Sequence, residues 1–129
     1  MAKTEKQEEQ ADQENQANRP VRLLLHENTL TAVISGEIDH HSACEIREII
    51  DMTAMRVRPE ELVLDFGAVH FMDSSGVGLI LGRCKMMEIW HGHVTIQNMP
   101  QKLERIVSLA GLHELCEFRK VDVKHESAE

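Results

Sequence analysis

From Val21 to Phe118 the chain alternates between two kinds of segment, and this alternation restricts the available folds more than any other feature. VRLLLHE, TLTAVISGEI, ELVLDFG, VTIQN and LCEFRK are short and rich in branched or apolar residues, as strands are. Between them, apolar residues recur at three- and four-residue intervals, as one face of a helix requires. The first two runs are joined through HEN, whose Asn28 favours a turn, so they predict a hairpin. The stretch HHSACEIREIIDMTAMR predicts a helix with Ala43, Ile46, Ile50 and Thr53 inward and Glu45, Arg47 and Glu48 outward. A second helix is expected from Ser75 to about Ile89, with a stripe of Val77, Ile80, Leu81, Cys84 and Met87. Pro100 opens a third, with Leu103, Ile106, Val107 and Ala110 on its core face, and Gly111 closes it. Strands alternating with helices imply right-handed crossovers and an α/β class: a mostly parallel mixed sheet of about five strands with three main helices. The hairpin adds the first strand antiparallel, and three helices are expected to cover mainly one face.

A chain of 129 residues, 42% hydrophobic, supports one compact domain, placed at residues 20–118. Residues 1–19 contain no Val, Ile, Leu or Phe, and hold five acids and three bases, which predicts a disordered polar tail. Residues 119–129 read as a polar C-terminal extension. The net charge of -8 and the lack of clustered Lys and Arg argue against nucleic-acid binding, which needs a concentrated basic surface. Cys44, Cys84 and Cys116 are widely spaced, suggesting neither a disulfide framework nor a zinc knuckle and fitting a reducing cytoplasm. No apolar run approaches the roughly 20 residues that span a bilayer, so no membrane span is expected. His40, His41, His91 and His93 lack the acid or cysteine spacing of a metal site and read as solvated or capping residues.

The chemistry-bearing stretch is FMDSSGVGLILGRCK, Phe71 to Lys85, where an acid and two serines precede a helix. In a parallel α/β sheet this is where unpaired backbone N–H groups gather. Ser74 is expected to cap the helix, its oxygen accepting from the N–H of Gly76 or Val77. A hydrolase nucleophile is disfavoured, because G-x-S-x-G fails at both serines: Met72 stands two before Ser74 and Asp73 two before Ser75. Gly76, Gly78 and Gly82 do not match G-x-G-x-x-G, so a dinucleotide loop has weak support. Inside the helix, Gly78 and Gly82 each cost about 1 kcal/mol relative to Ala, for which close packing or backbone access should compensate. Arg83 and Lys85 either complement the helix dipole or meet an acidic partner. The remaining reading is a serine that receives a phosphoryl group, adding about -1.5 to -2 of charge at the helix start beside Asp73.

GEIDHHSACEI, Gly36 to Ile46, followed by LVLDFGAVHFMDSSGVGLILGRCK, Leu62 to Lys85, strongly resembles the anti-sigma-factor antagonists of spore-forming bacteria, members of the STAS domain family. The similarity runs from about Val21 to Phe118 and includes SLAGL. The resemblance implies a single STAS-type domain that is a switch and not an enzyme. Such proteins bind an anti-sigma factor with serine kinase activity, release its sigma factor, and are then phosphorylated, with a serine phosphatase reversing the step. It implies Ser74 as the phosphoacceptor, Asp73 as its preceding acid and Ser75 as the unmodified neighbour. Gly76 and Gly78 correspond to the tight, accessible helix start, and Asp39 to an acid used against a basic group on the kinase. The Asp39 loop also follows a strand and opens a helix, so it should sit at the same sheet edge as DSSG, and the two loops together should form one docking face. No cofactor is implied for this chain, since ATP is used by the partner kinase. Cys84 stands where related helices commonly carry a tyrosine. From a different functional class, the same helix start could serve a nucleotide- or small-anion-sensing module.

Overall fold

The computed structural model describes residues 19–121. Residues 1–18 of the expected tail and 122–129 of the expected extension lie outside the described residues. Five strands form one sheet: β1 Val21–His26, β2 Thr29–Ile38, β3 Glu61–Met72, β4 His93–Gln97 and β5 Glu117–Arg119. Their spatial order follows the chain, with β1 antiparallel to β2 and the other pairs parallel. Helices α1 His40–Val57, α2 Ser74–Glu88 and α3 Glu104–Leu109 connect the parallel strands. With strands laid down in sequence order, right-handed crossovers put all three helices on one face of the sheet.

Register shows how that face is built. Leu30, Leu62 and Val94 are neighbours across β2, β3 and β4, as are Ala32, Leu64 and Ile96. All six are buried, together with Ile46 and Ile50 of α1 and Ile80 and Met87 of α2. The opposite face carries polar side chains. There Glu61 accepts from the hydroxyls of Thr29 and Thr95 at 3.4 and 2.7 Å. Asp65 accepts from the amides of Gln97 and Asn98 at 2.7 and 3.2 Å. Alternation along a strand explains the split, since Glu61, Val63 and Asp65 point away from Leu62 and Leu64.

Several elements differ from the sequence expectation. Strand β3 does not stop at Gly67 but runs to Met72, held by β2 through two register shifts, between Val33 and Ser35 and between Gly36 and Glu37. Gly36 sits between them with φ +88°, a left-handed conformation costly for any side chain with a Cβ. The third helix is cut short: a 3₁₀ turn at Gln101–Leu103 precedes only six α-helical residues, and Ala110 is exposed. Leu103 and Val107 still reach the core, and Gly111 at φ +74° ends the segment. Another 3₁₀ turn, Leu112–Glu114, takes up chain before β5 and leaves it three residues long. The buried arc of α2 is wider than the expected stripe, adding Leu79, Arg83 and Met86, because α1 and α3 both contact this helix above the sheet. Val77, Leu81 and Cys84 are partly buried against the same core.

Candidate functional site

Strands β2 and β3 end side by side, with Ile38 paired to Met72. One residue later each strand turns into a helix, so Asp39 and Asp73 stand next to each other on one edge of the sheet and α1 and α2 start there together. The backbone N–H of Asp73 donates to the carbonyl of Ile38 at 3.1 Å and ties the two corners. The sequence expectation that both loops share an edge is met in this geometry.

Each aspartate caps its helix. Asp39 Oδ1 accepts from the Ser42 N–H at 2.9 Å, and Ser42 Oγ accepts from the Asp39 N–H at 3.0 Å, completing a reciprocal capping box. Ser42 Oγ also donates to the Glu37 carbonyl at 2.8 Å. At α2 the cap is Asp73, whose Oδ1 accepts from the Ser75 N–H at 2.8 Å while its carbonyl accepts from Gly76 at 3.0 Å. This corrects the assignment of Ser74 as cap. Aspartate and serine cap almost equally well, and whichever holds the extended conformation takes the role; here Asp73 does, at φ -100° and ψ -166°. Ser74 is therefore the first helical residue. It is exposed, and its hydroxyl makes no hydrogen bond among the described residues.

The glycines divide in two. Gly76 is buried, and a Cβ there would collide with the Met72 side chain, so the first turn of α2 lies directly on the end of β3. Gly78 and Gly82 have nothing within 4 Å of where a Cβ would stand. Of the two expected compensations, close packing does not apply, and backbone access remains. Both glycines line a shallow groove between α1 and α2, shared with His40, Cys44 and Arg47 of α1 and with Ser75. His40 and Ser75, in the first turns of α1 and α2, put one end of the groove at the edge that carries Ser74. Phe71, the last exposed apolar residue of β3 before the corner, is 50% exposed.

Arg83 does not have either role expected from sequence. It is buried and reaches across to Asp51 of α1, with Nη2 donating to Oδ2 at 3.1 Å and Nε 2.8 Å from Oδ1. The second contact is close but off the hydrogen-bond line. Lys85 stays exposed. Among the described residues, no group of three or more His, Cys, Asp or Glu side chains is placed to hold a metal ion, and no helix is long and apolar enough to cross a membrane.

The capping hydrogen bond from the Ser42 N–H holds the Asp39 carboxyl below its usual value of 3.8. A carboxyl depressed in the fold contributes stability that is present above the unfolded value and lost as pH falls through the folded one. Asp39→Asn keeps a capping oxygen but removes the titration. In urea unfolding between pH 6 and about 2.5, wild type should lose stability relative to this variant as pH drops through 3.8 and below. Parallel profiles would contradict the assignment.

The chain as a whole is similar to proteins of a known family. The STAS domain model matches residues 21–128. An anti-sigma F factor antagonist of Paenibacillus polymyxa is 32% identical over 98 residues, spanning 76% of this chain and 84% of that protein. An anti-sigma-B factor antagonist of Bacillus subtilis is 29% identical over 101 residues, spanning 78% and 91%. Among solved structures, the unphosphorylated anti-sigma factor antagonist SpoIIAA superposes with a TM-score of 0.70 at 26% identity, covering 83% of this chain and 92% of that one. The phosphorylated form of the Bacillus cell fate determinant SpoIIAA superposes at 0.65 and 26% identity, covering 84% and 96%. Sheet order, paired helix starts and a family match running through nearly all described residues lead to one conclusion: the chain belongs to the STAS domain family.

Proposed function

We propose that this protein is an anti-sigma-factor antagonist whose docking edge is switched by phosphorylation of Ser74. The observation that carries this reading is the unengaged hydroxyl of Ser74. Asp73 has taken over the capping role, so the serine is exposed at the start of α2 with no structural duty, and a kinase can reach it without unfolding anything. The relatives named above, antagonists of anti-sigma factors, match this chain over most of their own length. SpoIIAA, similar in fold, is known in unphosphorylated and phosphorylated forms.

In the unmodified state the partner, an anti-sigma factor with serine kinase activity, docks on the edge formed by Asp39, Asp73, Ser74 and Ser75, over Phe71 and the glycine-lined groove. Gly76 seats the helix start against β3, and Gly78 leaves the backbone open to close approach. Docking releases the sigma factor. The kinase then transfers the γ-phosphoryl group of its ATP: a bond forms between Ser74 Oγ and phosphorus, the bond to ADP breaks, and the serine proton passes to a base on the kinase. The added dianion joins the carboxylates of Asp39 and Asp73 on one edge, and a buried interface there loses affinity. A serine phosphatase restores the docking state. This chain supplies the acceptor and performs no catalysis, and it works in the cytoplasm beside the transcription machinery. A small-anion sensor has less support, because aspartate oxygens already occupy N–H groups at both helix starts.

Incubation with ATP and a serine-kinase anti-sigma factor should add one phosphate, read as about 80 Da in intact mass, and fragment mapping should place it on Ser74. Ser74→Ala should gain none. Phosphate on Ser75 in the wild-type chain, or none under conditions where the kinase modifies a known antagonist, would overturn the proposal.

A further inference from the structure

Cys84 and Cys116 lie 32 positions apart in sequence, yet their sulfurs are 3.0 Å apart in the fold. One comes from the last turns of α2, the other from the segment between the second 3₁₀ turn and β5. Sulfur atoms 3.0 Å apart are about 1 Å from bonding distance, so a disulfide asks little movement of either side chain. Sequence spacing conceals the pair; it forms because the sheet order brings β5 back past α2 to lie beside β4.

We propose that Cys84 and Cys116 are a reversible dithiol site at which a peroxide-class oxidant forms an intramolecular disulfide. The two thiols have different parts to play. Cys84 is half-buried, whereas Cys116 is 9% exposed, so the oxidant meets Cys84 first. The Cys116 thiol hydrogen-bonds to Cys84 and draws its pKa below the usual value, and that same bond, with burial, pushes Cys116 up. Cys84 is therefore the readier of the two to ionise, and the more accessible. In the first step the Cys84 thiolate attacks one oxygen of hydrogen peroxide, forming a sulfenic acid and releasing hydroxide, which takes up a proton. In the second, the Cys116 sulfur gives up its proton and attacks the Cys84 sulfur, expelling the sulfenic oxygen as water. Two thiols and one peroxide become one disulfide and two waters. A cytosolic dithiol of this kind is suited to transient oxidation, and a thioredoxin-type reductant reverses it.

Closure staples α2 to the segment leading into β5. Ser74 stands at the opposite end of α2, ten residues from Cys84, so the staple leaves the phosphoacceptor exposed and acts on the body of the domain. The inference is independent of the antagonist reading.

The test uses the full chain with Cys44→Ser, which removes the exposed thiol. Stoichiometric hydrogen peroxide should consume both remaining thiols, lower the intact mass by about 2 Da and keep the protein monomeric on a non-reducing gel. Peptide mapping should recover a Cys84–Cys116 cross-link, the melting temperature should rise by several degrees, and dithiothreitol should reverse both changes. Adding Cys116→Ser should instead trap about 16 Da on Cys84 or drive it to a dimer. Two intact thiols after treatment, oxygen added without cross-linking in the two-thiol protein, or a covalent dimer as its main product would each overturn the proposal.

Discussion

Asp51→Ala should destabilise the domain by about 2–3 kcal/mol and lower its melting temperature by about 10 °C, a larger loss than any single surface change in α1. The reason is what the substitution leaves behind. The Arg83 side chain is only 7% exposed, and among the described residues its one carboxylate partner is Asp51. Its other hydrogen bond among the described residues is Nη1 donating to the Leu79 carbonyl at 3.4 Å, a long bond within its own helix. Removing the carboxylate strands a permanent charge between two helices. The figure lies below the 3–5 kcal/mol typical of a fully buried pair because Asp51 is 26% exposed and water can reach the vacated position.

The pair itself is not a large source of stability. Burial is the leading influence on both partners, holding Asp51 above its usual value and Arg83 below its own, each toward its neutral form. Desolvation thus exceeds what attraction returns, and one of the two close contacts is poorly aligned. Two consequences follow. Arg83→Met alone should cost less than Asp51→Ala, because the part-exposed carboxyl can turn to water or take up a proton. Asp51→Leu with Arg83→Met should recover most of the loss, since an apolar pair of similar volume avoids both desolvations. Linkage adds a signature: a carboxyl raised in the fold opposes folding once it ionises, so its contribution becomes less favourable as pH rises from 3.8 through the folded value. That is opposite in sign to Asp39. Urea unfolding of wild type and the three variants measures each loss, and a double variant as unstable as Asp51→Ala would contradict this account.

Arg83 also marks where sequence reading reaches its limit. Periodicity found α1 and the start of α2, because residues three and four apart share a face whatever packs against them. The width of the buried arc on α2 depends on α1 and α3 lying to either side, which no local pattern records, so Leu79, Met86 and Arg83 fell outside the expected stripe. Strand β3 looked complete at Gly67 for a similar reason. Its continuation to Met72 depends on pairing with β2 through two bulges, and GAVHFM alone lacks the strict alternation of a half-buried strand. The contact of Cys84 with Cys116 is likewise a product of topology. By contrast, the positions of Asp39 and Asp73 on one edge follow from strand–helix order alone, and only the choice between Asp73 and Ser74 as cap required the backbone conformation.

That choice governs the second large effect. Phosphorylated protein should bind the anti-sigma kinase at least about 100-fold more weakly than unmodified protein, because a buried, unpaired charge at an interface costs several kcal/mol. Ser74→Ala should bind within about threefold of wild type, since the hydroxyl makes no hydrogen bond within the described chain and its loss leaves no buried partner unsatisfied. Ser74→Asp should fall between the two: a carboxylate carries one charge where phosphate carries nearly two, and it is smaller. Asp73→Ala tests a different property. It removes the oxygen that accepts from the Ser75 N–H, so Ser74 can turn its own hydroxyl inward as a substitute cap. Phosphorylation should then slow by more than binding weakens, as the acceptor oxygen becomes engaged in the helix start. Calorimetric titration of each form against the kinase gives the affinities, and single-turnover phosphorylation of Asp73→Ala gives the rate. Equal affinity of the phosphorylated and unmodified proteins would show that charge at this position does not control docking.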